Sequence, residues 1–404
     1  MAEALSKPRI GLACAGGGIE GAVYEIGALC ALEEAIEGID FSKAHVYVGV
    51  SAGAIITASL ANGITPRQMS RAILSHQHNV HPITPSTFYN PAYREYLSRV
   101  GHIPFMFASM MWDYLRRPGD ISVGGSLSRI TELLPVGVFD NTPIRDYMRK
   151  NFEYEGRTDD FRELQTRLRI VATDLDTSRS VVFGSEGYDD VPISLAVQAS
   201  TALPAVYTPV RIKNRDYIDG VAQRTVHASV ALSEGADLTI CINPIVPYEA
   251  AVPEPLNGAP PIEQLLAERG LPAVLSQTFR TMIHSRMNIG INRYKKEYSG
   301  QDLIVVEPKT TDYRMFFTNI FSFSSRKEVC NYAYQSTRLH LKQNADSICE
   351  ILRRHGLHLN TKALEDDYKT LYDPVYHTES ERTVSNLHIT LRKLDGLLQH
   401  MQPA

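Results

Sequence analysis

Val46-Tyr-Val-Gly-Val-Ser-Ala-Gly-Ala-Ile55 decides the fold. Val46 to Val50 is short, apolar and rich in β-branched residues, the pattern of a strand buried on both faces. Ala54 to Ala61 (AIITASLA) predicts a helix, and Gly49-Val50-Ser51-Ala52-Gly53 between them is a Gly-x-Ser-x-Gly turn. A serine on so tight a strand-to-helix turn needs small neighbours, because the chain must fold back there. Its hydroxyl is then presented at the tip of a sheet, beside the positive end of the next helix. Ser51 is therefore the candidate nucleophile, with Gly49 and Gly53 as its supports. The bland alternative is a capping serine in an ordinary turn, and the strand before it and helix after it argue for the nucleophile.

Upstream, Arg9 to Ala15 (RIGLACA) predicts another strand, Gly16-Gly-Gly-Ile-Glu-Gly21 a turn, and Ala22 to Ile36 a helix. Strand, glycine turn and helix aim several backbone N–H groups at one anion, an oxyanion or a phosphate. Gly16-x-Gly18-x-x-Gly21 also fits a dinucleotide fingerprint, with Glu33, Glu34 and Asp40 about where a ribose-binding acid would lie. No Lys-Ser/Thr follows the glycines, which excludes an ATP-type loop. Two consecutive βα units place both turns at the same carboxyl edge of a parallel sheet. Donors from the first turn then face the hydroxyl of Ser51, the arrangement of an acyl-transfer site.

Downstream the pattern loosens from Thr65 to about Pro118. His76, His78 and His81 lie there in a proline-rich loop better read as polar surface than as metal ligands, and Ile103 to Trp112 is a dense apolar patch suited to core or to a lip over an acyl pocket. Ser126 to Lys150 reads as helix, turn, helix. Strands are predicted at Leu168–Leu175 and Ser180–Phe183, and a helix at Val191–Ser200. A hairpin of Thr208–Ile212 and Tyr217–Ile218 follows, delivering Asp219-Gly220 at its end, then a buried strand at Leu238–Asn243. Tyr248 to Pro261 is a proline-rich linker or surface loop. Beyond it long helices are predicted at Leu265–Lys296 and Lys327–Arg354, with a strand at Leu303–Val306 between them. Tyr313 to Phe323 is apolar and aromatic. Val384, Leu387, Leu391, Leu394, Leu398 and Met401 form one helical stripe, suited to packing on the body or on a partner subunit, so a homodimer stays open.

Composition narrows the function. The 404 residues are 44% hydrophobic and 21% charged, an ordinary globular balance, and the net charge of −4 gives no argument for nucleic acid. Five scattered cysteines, Cys14, Cys30, Cys241, Cys330 and Cys349, suggest buried thiols in a reducing compartment rather than a disulfide framework or zinc site. The first strand begins almost at the N-terminus, leaving no room for a signal peptide, and no apolar run reaches the roughly 18 residues of a spanning helix. The expectation is a cytoplasmic protein, at most peripheral to membranes.

A serine at an elbow needs a base. An ordinary α/β-hydrolase places its elbow after about five strands, and the residues before Ser51 hold only two βα units. His227, His284, His340, His355 and His358 remain available, but none follows a strand in a suitable loop. The chain instead resembles the patatin-like phospholipases. The resemblance rests on Gly16 to Gly21, Gly49 to Gly53, and Ala199-Ser-Thr-Ala-Leu-Pro204 leading through Pro209-Val210 to Tyr217-Ile-Asp-Gly220. Leu134 to Asn141 and Ala172 to Leu175 add to it, so that about residues 8 to 245 are covered.

The resemblance implies a three-layer α/β/α sandwich with a mainly parallel central sheet over residues 1–250 and a mainly helical extension over 251–404. It implies Ser51 as nucleophile, Asp219 as general base and the amides of Gly16, Gly17 and Gly18 as oxyanion donors, with Gly21, Gly49, Gly53 and Gly220 in support. The expected activity is hydrolysis of a phospholipid or other lipid ester at a membrane surface, through an acyl-serine and with neither metal nor cofactor. An acyltransferase using the same intermediate and a catalytically weak lipid-binding protein are the alternatives. Two departures stand out. Glu20 occupies a position where the family usually carries Arg or Lys, so either preference has moved away from anionic lipids or another cation does that work. Val221, followed by Gln223-Arg-Thr225, replaces the usual small residue and Asn-Pro after the aspartate.

Overall fold

The computed structural model describes residues 8–74, 81, 84–93, 95–98, 135–249, 266–311, 325–367 and 369–372. The expectations for His76, His78, Ile103–Trp112, Tyr313–Phe323 and the stripe from Val384 to Met401 lie outside these residues.

Eight strands form the central sheet: β1 (Ile10–Cys14), β2 (Val46–Val50), β3 (Arg167–Asp174), β4 (Arg179–Phe183), β5 (Val210–Ile212), β6 (Arg215–Asp219), β7 (Leu238–Ile242) and β8 (Asp302–Val306). Their order is β8-β7-β1-β2-β3-β6-β5, with β4 pairing β3. The five strands from β8 to β3 are parallel, and β4, β5 and β6 make antiparallel pairs.

Side chains alternate across a strand, so each strand feeds two cores. Leu12, Cys14 and Tyr47 point into one face, packed by α1 (Gly18–Ala35), α2 (Ala52–Ala61), α3 (Pro66–Leu74), α4 (Thr142–Phe152), α5 (Ile193–Ser200), α8 (Arg326–Gln343) and α9 (Ala345–Arg354). Ala13, Ala15, Val46, Val48 and Val50 point into the other, covered by α6 (Ala228–Ser233) and α7 (Leu271–Glu297). The result is the expected three-layer sandwich with a mainly parallel sheet.

Register on β3 does the most to position the site. Ile170 and Val171 pair with β2 and with β4, while Ala172, Thr173 and Asp174 pair with β6 and with β4. Because β4 holds one edge throughout, β2 and β6 share the other. β6 takes over where β2 leaves off, with Val50 opposite Val171 and Asp219 opposite Ala172. Two strands running in opposite senses thus end at successive positions of one edge.

The structure moves several predicted boundaries. The helix after the glycine turn begins at Gly18 rather than Ala22, since Gly17 and Gly18 take φ of 155° and 62° that let the chain turn directly into it. The single helix expected over Lys327–Arg354 is two, broken at Asn344, whose side chain donates to the carbonyl of His340 at 2.9 Å. Within Ser126–Lys150, Gly137–Asp140 is a strand and α4 follows it.

Candidate active site

Ser51 sits between β2 and α2 with φ 54° and ψ −122°, a conformation that side-chain-bearing residues rarely adopt. Three bonds fix the turn. The Ser51 amide donates to Ser200 Oγ at 2.8 Å, the Gly53 amide to the Ala15 carbonyl at 2.9 Å, and the Ala54 amide to the Ser51 carbonyl at 2.9 Å. Gly49 is pressed against Thr57 and the backbone of Ala54, and Gly220 against the Val171 carbonyl.

Asp219, the last residue of β6, is 1% exposed, and its amide is held by the Ala202 carbonyl at 2.9 Å. Its Oδ1 accepts the Val221 amide at 2.9 Å, which caps the short turn Gly220–Ala222. Oδ2 is buried with no hydrogen-bond partner of standard geometry, and the hydroxyl on that carboxyl is Ser51's. Burial pushes the Asp219 carboxyl up to about 7, against the pull of the Ser51 hydroxyl and the Val221 amide. Such a group is half ionised near neutral pH, the range useful to a general base.

The glycine turn closes over the same point. A Cβ placed on Gly16 would lie 3.1 Å from Ser51 Cβ, 3.6 Å from its Oγ and 3.0 Å from Val221 Cγ2. Among the described residues no acceptor takes up the amides of Gly16, Gly17 or Gly18, while the Gly21 amide donates to the Gly17 carbonyl at 2.9 Å. Unpaired donors at the start of α1, beside a serine hydroxyl, can receive an oxyanion. Of the three acids that the dinucleotide reading offered, Glu34 is engaged elsewhere, by Arg338 at 2.7 Å, Lys369 at 2.8 Å and the Tyr334 hydroxyl at 2.9 Å, which together tie the C-terminal residues to α1.

The departure at Glu20 has a structural counterpart. Glu20 is 4% exposed, and burial pushes its carboxyl up to about 7 while the charge of Arg280 on α7 pulls against that. Arg280 donates to the Val246 carbonyl at 3.3 Å, and Pro244 in the same segment packs its ring on Gly17 and Gly21. A cation therefore stands by the glycine turn although it comes from a helix 260 residues further along the chain. None of the histidines among the described residues takes the place of Asp219. His227 is buried at the backbone of Gly220, and burial takes it down to about 4, so it stays neutral. His355 pairs with Asp302 at 2.8 Å, at the amino end of β8, and His284 lies 3.7 Å from Glu307. Among the described residues no group of three or more His, Cys, Asp or Glu is arranged to hold a metal.

Ser200 is the residue that sequence reasoning passed over. It is fully buried at the end of α5, accepts the Ser51 amide and donates to the Val171 carbonyl at 2.6 Å. One hydroxyl thereby ties the elbow to the edge of β3 on which Asp219 registers. The signal was its place in Ala199-Ser-Thr, inside a quoted motif. Ser200→Ala leaves a buried donor and a buried acceptor unpaired and is expected to destabilise the protein by about 2–3 kcal/mol. Assayed well below its melting temperature, the variant should lose kcat about tenfold with KM little changed, because the elbow loosens without altering the substrate's surroundings.

Comparison with solved structures gives loose likenesses. VipD from Legionella pneumophila is 16% identical, with a TM-score of 0.37, covering 83% of this chain and 67% of that one. The type III effector ExoU is 17% identical, with a TM-score of 0.35, covering 84% and 53%. ExoU of Pseudomonas aeruginosa in complex with SpcU gives 18%, 0.28, 71% and 53%. This chain thus spans about half the length of ExoU. The sequence pattern of the patatin-like phospholipases matches residues 12–232, from β1 through the glycine turn, the elbow and the Asp219 turn to α6. The chain belongs to the patatin-like phospholipase family.

Proposed function

We propose that the protein hydrolyses lipid esters, of the phospholipase A or lysophospholipase type, by a Ser51–Asp219 dyad. The observation that carries this reading is the buried Asp219 carboxyl within reach of the Ser51 hydroxyl, its Oδ2 without a hydrogen-bond partner. In the first step the carboxylate takes the hydroxyl proton as Oγ attacks the ester carbonyl. The negative charge that develops on the carbonyl oxygen is received by the free amides of Gly16, Gly17 and Gly18, each such donor contributing about 3 kcal/mol. Collapse expels the alcohol, which takes the proton back, and leaves an acyl-serine. Water, deprotonated by the same carboxylate, then releases the fatty acid and restores the serine.

The test is covalent. A fluorophosphonate probe is expected to label the wild-type protein and not Ser51→Ala, and phospholipid vesicles should yield free fatty acid with the wild type alone. Added glycerol distinguishes hydrolysis from transfer, since a transferase would divert the acyl group to glycerol ester. A wild-type protein that binds vesicles and takes no label would overturn the hydrolase.

A further inference from the structure

The helix α7 is far longer than the strands it covers. Its 27 residues span about 40 Å, whereas a five-residue strand spans about 16 Å. It leads into β8, which begins at Asp302 and runs parallel to β7 and β1. Its last turn therefore lies at the amino edge of the sheet, and its first half projects past the carboxyl edge, where Ser51 and the glycine turn are. Burial agrees with this. Ile283, Met287 and Tyr294 are buried against the sheet, while no described side chain from 271 to 282 is buried. The projecting half is held beside the site by Gln277, which accepts the Tyr248 amide at 3.1 Å and donates to its carbonyl at 2.7 Å, and by Arg280 on Val246.

That half is apolar where it should be polar. Leu271, Val274, Leu275, Phe279 and Met282 are exposed, Leu271 at 69% and Leu275 and Met282 at 57%. At 100° per residue, Leu271, Leu275 and Met282 share one side, about 120° round the helix from Ile283 and Met287. The same side continues into Arg286, Ile289 and Arg293, and the two arginines help line a cavity of ≈ 300 Å³ between α7 and Gln223–Ala228. The helix carries five cations and one acid in a chain of net charge −4; Arg293 pairs with that acid, Glu297, at 2.7 Å, and Arg280 stands by Glu20. It is not apolar enough to cross a bilayer.

We infer that the projecting half of α7 is the surface by which the protein docks on an anionic lipid bilayer, with Leu271, Leu275, Phe279 and Met282 entering the acyl boundary and Arg286 and Arg293 meeting lipid phosphates. The inference rests on the proposed lipid-ester reading for its purpose. Apolar side chains flanked by cations are what an anionic membrane surface holds, the apolar groups entering the acyl boundary and the cations meeting the phosphates. Docking there brings the carboxyl edge of the sheet, and with it Ser51, towards the lipid.

The full chain is floated with vesicles of phosphatidylcholine alone or mixed equally with phosphatidylglycerol, beside Leu275→Glu/Met282→Glu. Hydrolysis of the water-soluble ester p-nitrophenyl butyrate is measured on the same samples. Wild type should float with the mixed vesicles, and less well in high salt. The double variant should partition about a hundredfold more weakly, about tenfold for each apolar side chain withdrawn, with butyrate hydrolysis within twofold of wild type. If the double variant loses butyrate hydrolysis, Leu275→Gln/Met282→Gln carries the same comparison. Undiminished flotation of a variant overturns the docking surface, as does a wild type that floats with neither vesicle. A wild-type dimer that the substitutions split assigns the stripe to a second copy and also overturns it. Flotation that depends on Leu275 and Met282, from a wild type that cleaves no ester, keeps the docking surface and removes the hydrolase.

Discussion

Asp219→Asn is expected to slow acyl-serine formation by about three orders of magnitude or more while making the protein more stable above neutral pH. The two effects have one source. The carboxyl is fully buried, with one oxygen unpaired, and its pKa stands near 7 instead of near 3.8. As a base it works only when ionised, so in the wild type kcat/KM should rise about tenfold per pH unit up to about pH 7 and level off above it. The effect on stability runs the other way. Between about pH 4 and 7 the folded protein holds a proton that the unfolded chain has lost, so folding weakens as pH rises through that window, by an amount of the order of 4 kcal/mol when complete. Asparagine has nearly the same shape and no charge to bury. The variant's Tm should therefore exceed that of the wild type at pH 8 and match it near pH 4. Equal melting at both pH values, or a pH–rate profile without an inflection near 7, would show that Asp219 is not the group that titrates.

Gly53→Ala is expected to be among the most damaging single-methyl changes in the site, costing about 3 kcal/mol or more and abolishing labelling of Ser51. A Cβ on Gly53 would stand 2.4 Å from the Cys14 carbonyl oxygen, 2.5 Å from its carbon and 2.6 Å from the Ala15 oxygen. All three are backbone atoms at the end of β1, so no side-chain rotation can clear them. Relief requires the elbow to leave β1, and the bond from the Gly53 amide to Ala15 goes with it. Gly18→Ala is the control. Nothing lies within 4 Å of its Cβ, and only its φ of 62° opposes the change, an effect of about 1 kcal/mol. Urea unfolding should separate the two by midpoint at unchanged slope.

How much of this was legible in sequence depended on range. β2 matches its predicted span, Val46–Val50, because a fully buried strand writes its identity into every residue. The helix α3 was missed, although Thr65 and Gln68 cap it reciprocally, the Thr65 amide donating to Gln68 Oε1 at 2.8 Å and the Gln68 amide to Thr65 Oγ1 at 3.3 Å. Thr-Pro-x-Gln is a capping box with proline at the first helical position, a local signal that the loosened hydrophobic pattern obscured. The motifs named Ser51, Asp219 and the glycine turn, and in the fold these residues converge. Long-range relations were not legible. That Arg280 stands across from Glu20, or that Ser200 holds the elbow, depends on packing between segments far apart in the chain, which no local pattern records.

The shared edge of β3 also orders events in time. Ser51 follows a strand whose last residue, Val50, pairs with Val171, and Asp219 ends a strand by pairing with Ala172, yet 168 residues of chain separate the two side chains. During synthesis the nucleophile and the amides that would serve it emerge first, and the base arrives only after β3 has been laid against β2 and the hairpin has turned back along it. A nascent or truncated chain that stops before residue 219 carries the serine without the carboxylate. On the proposed dyad, such a chain would be inactive until the sheet is complete.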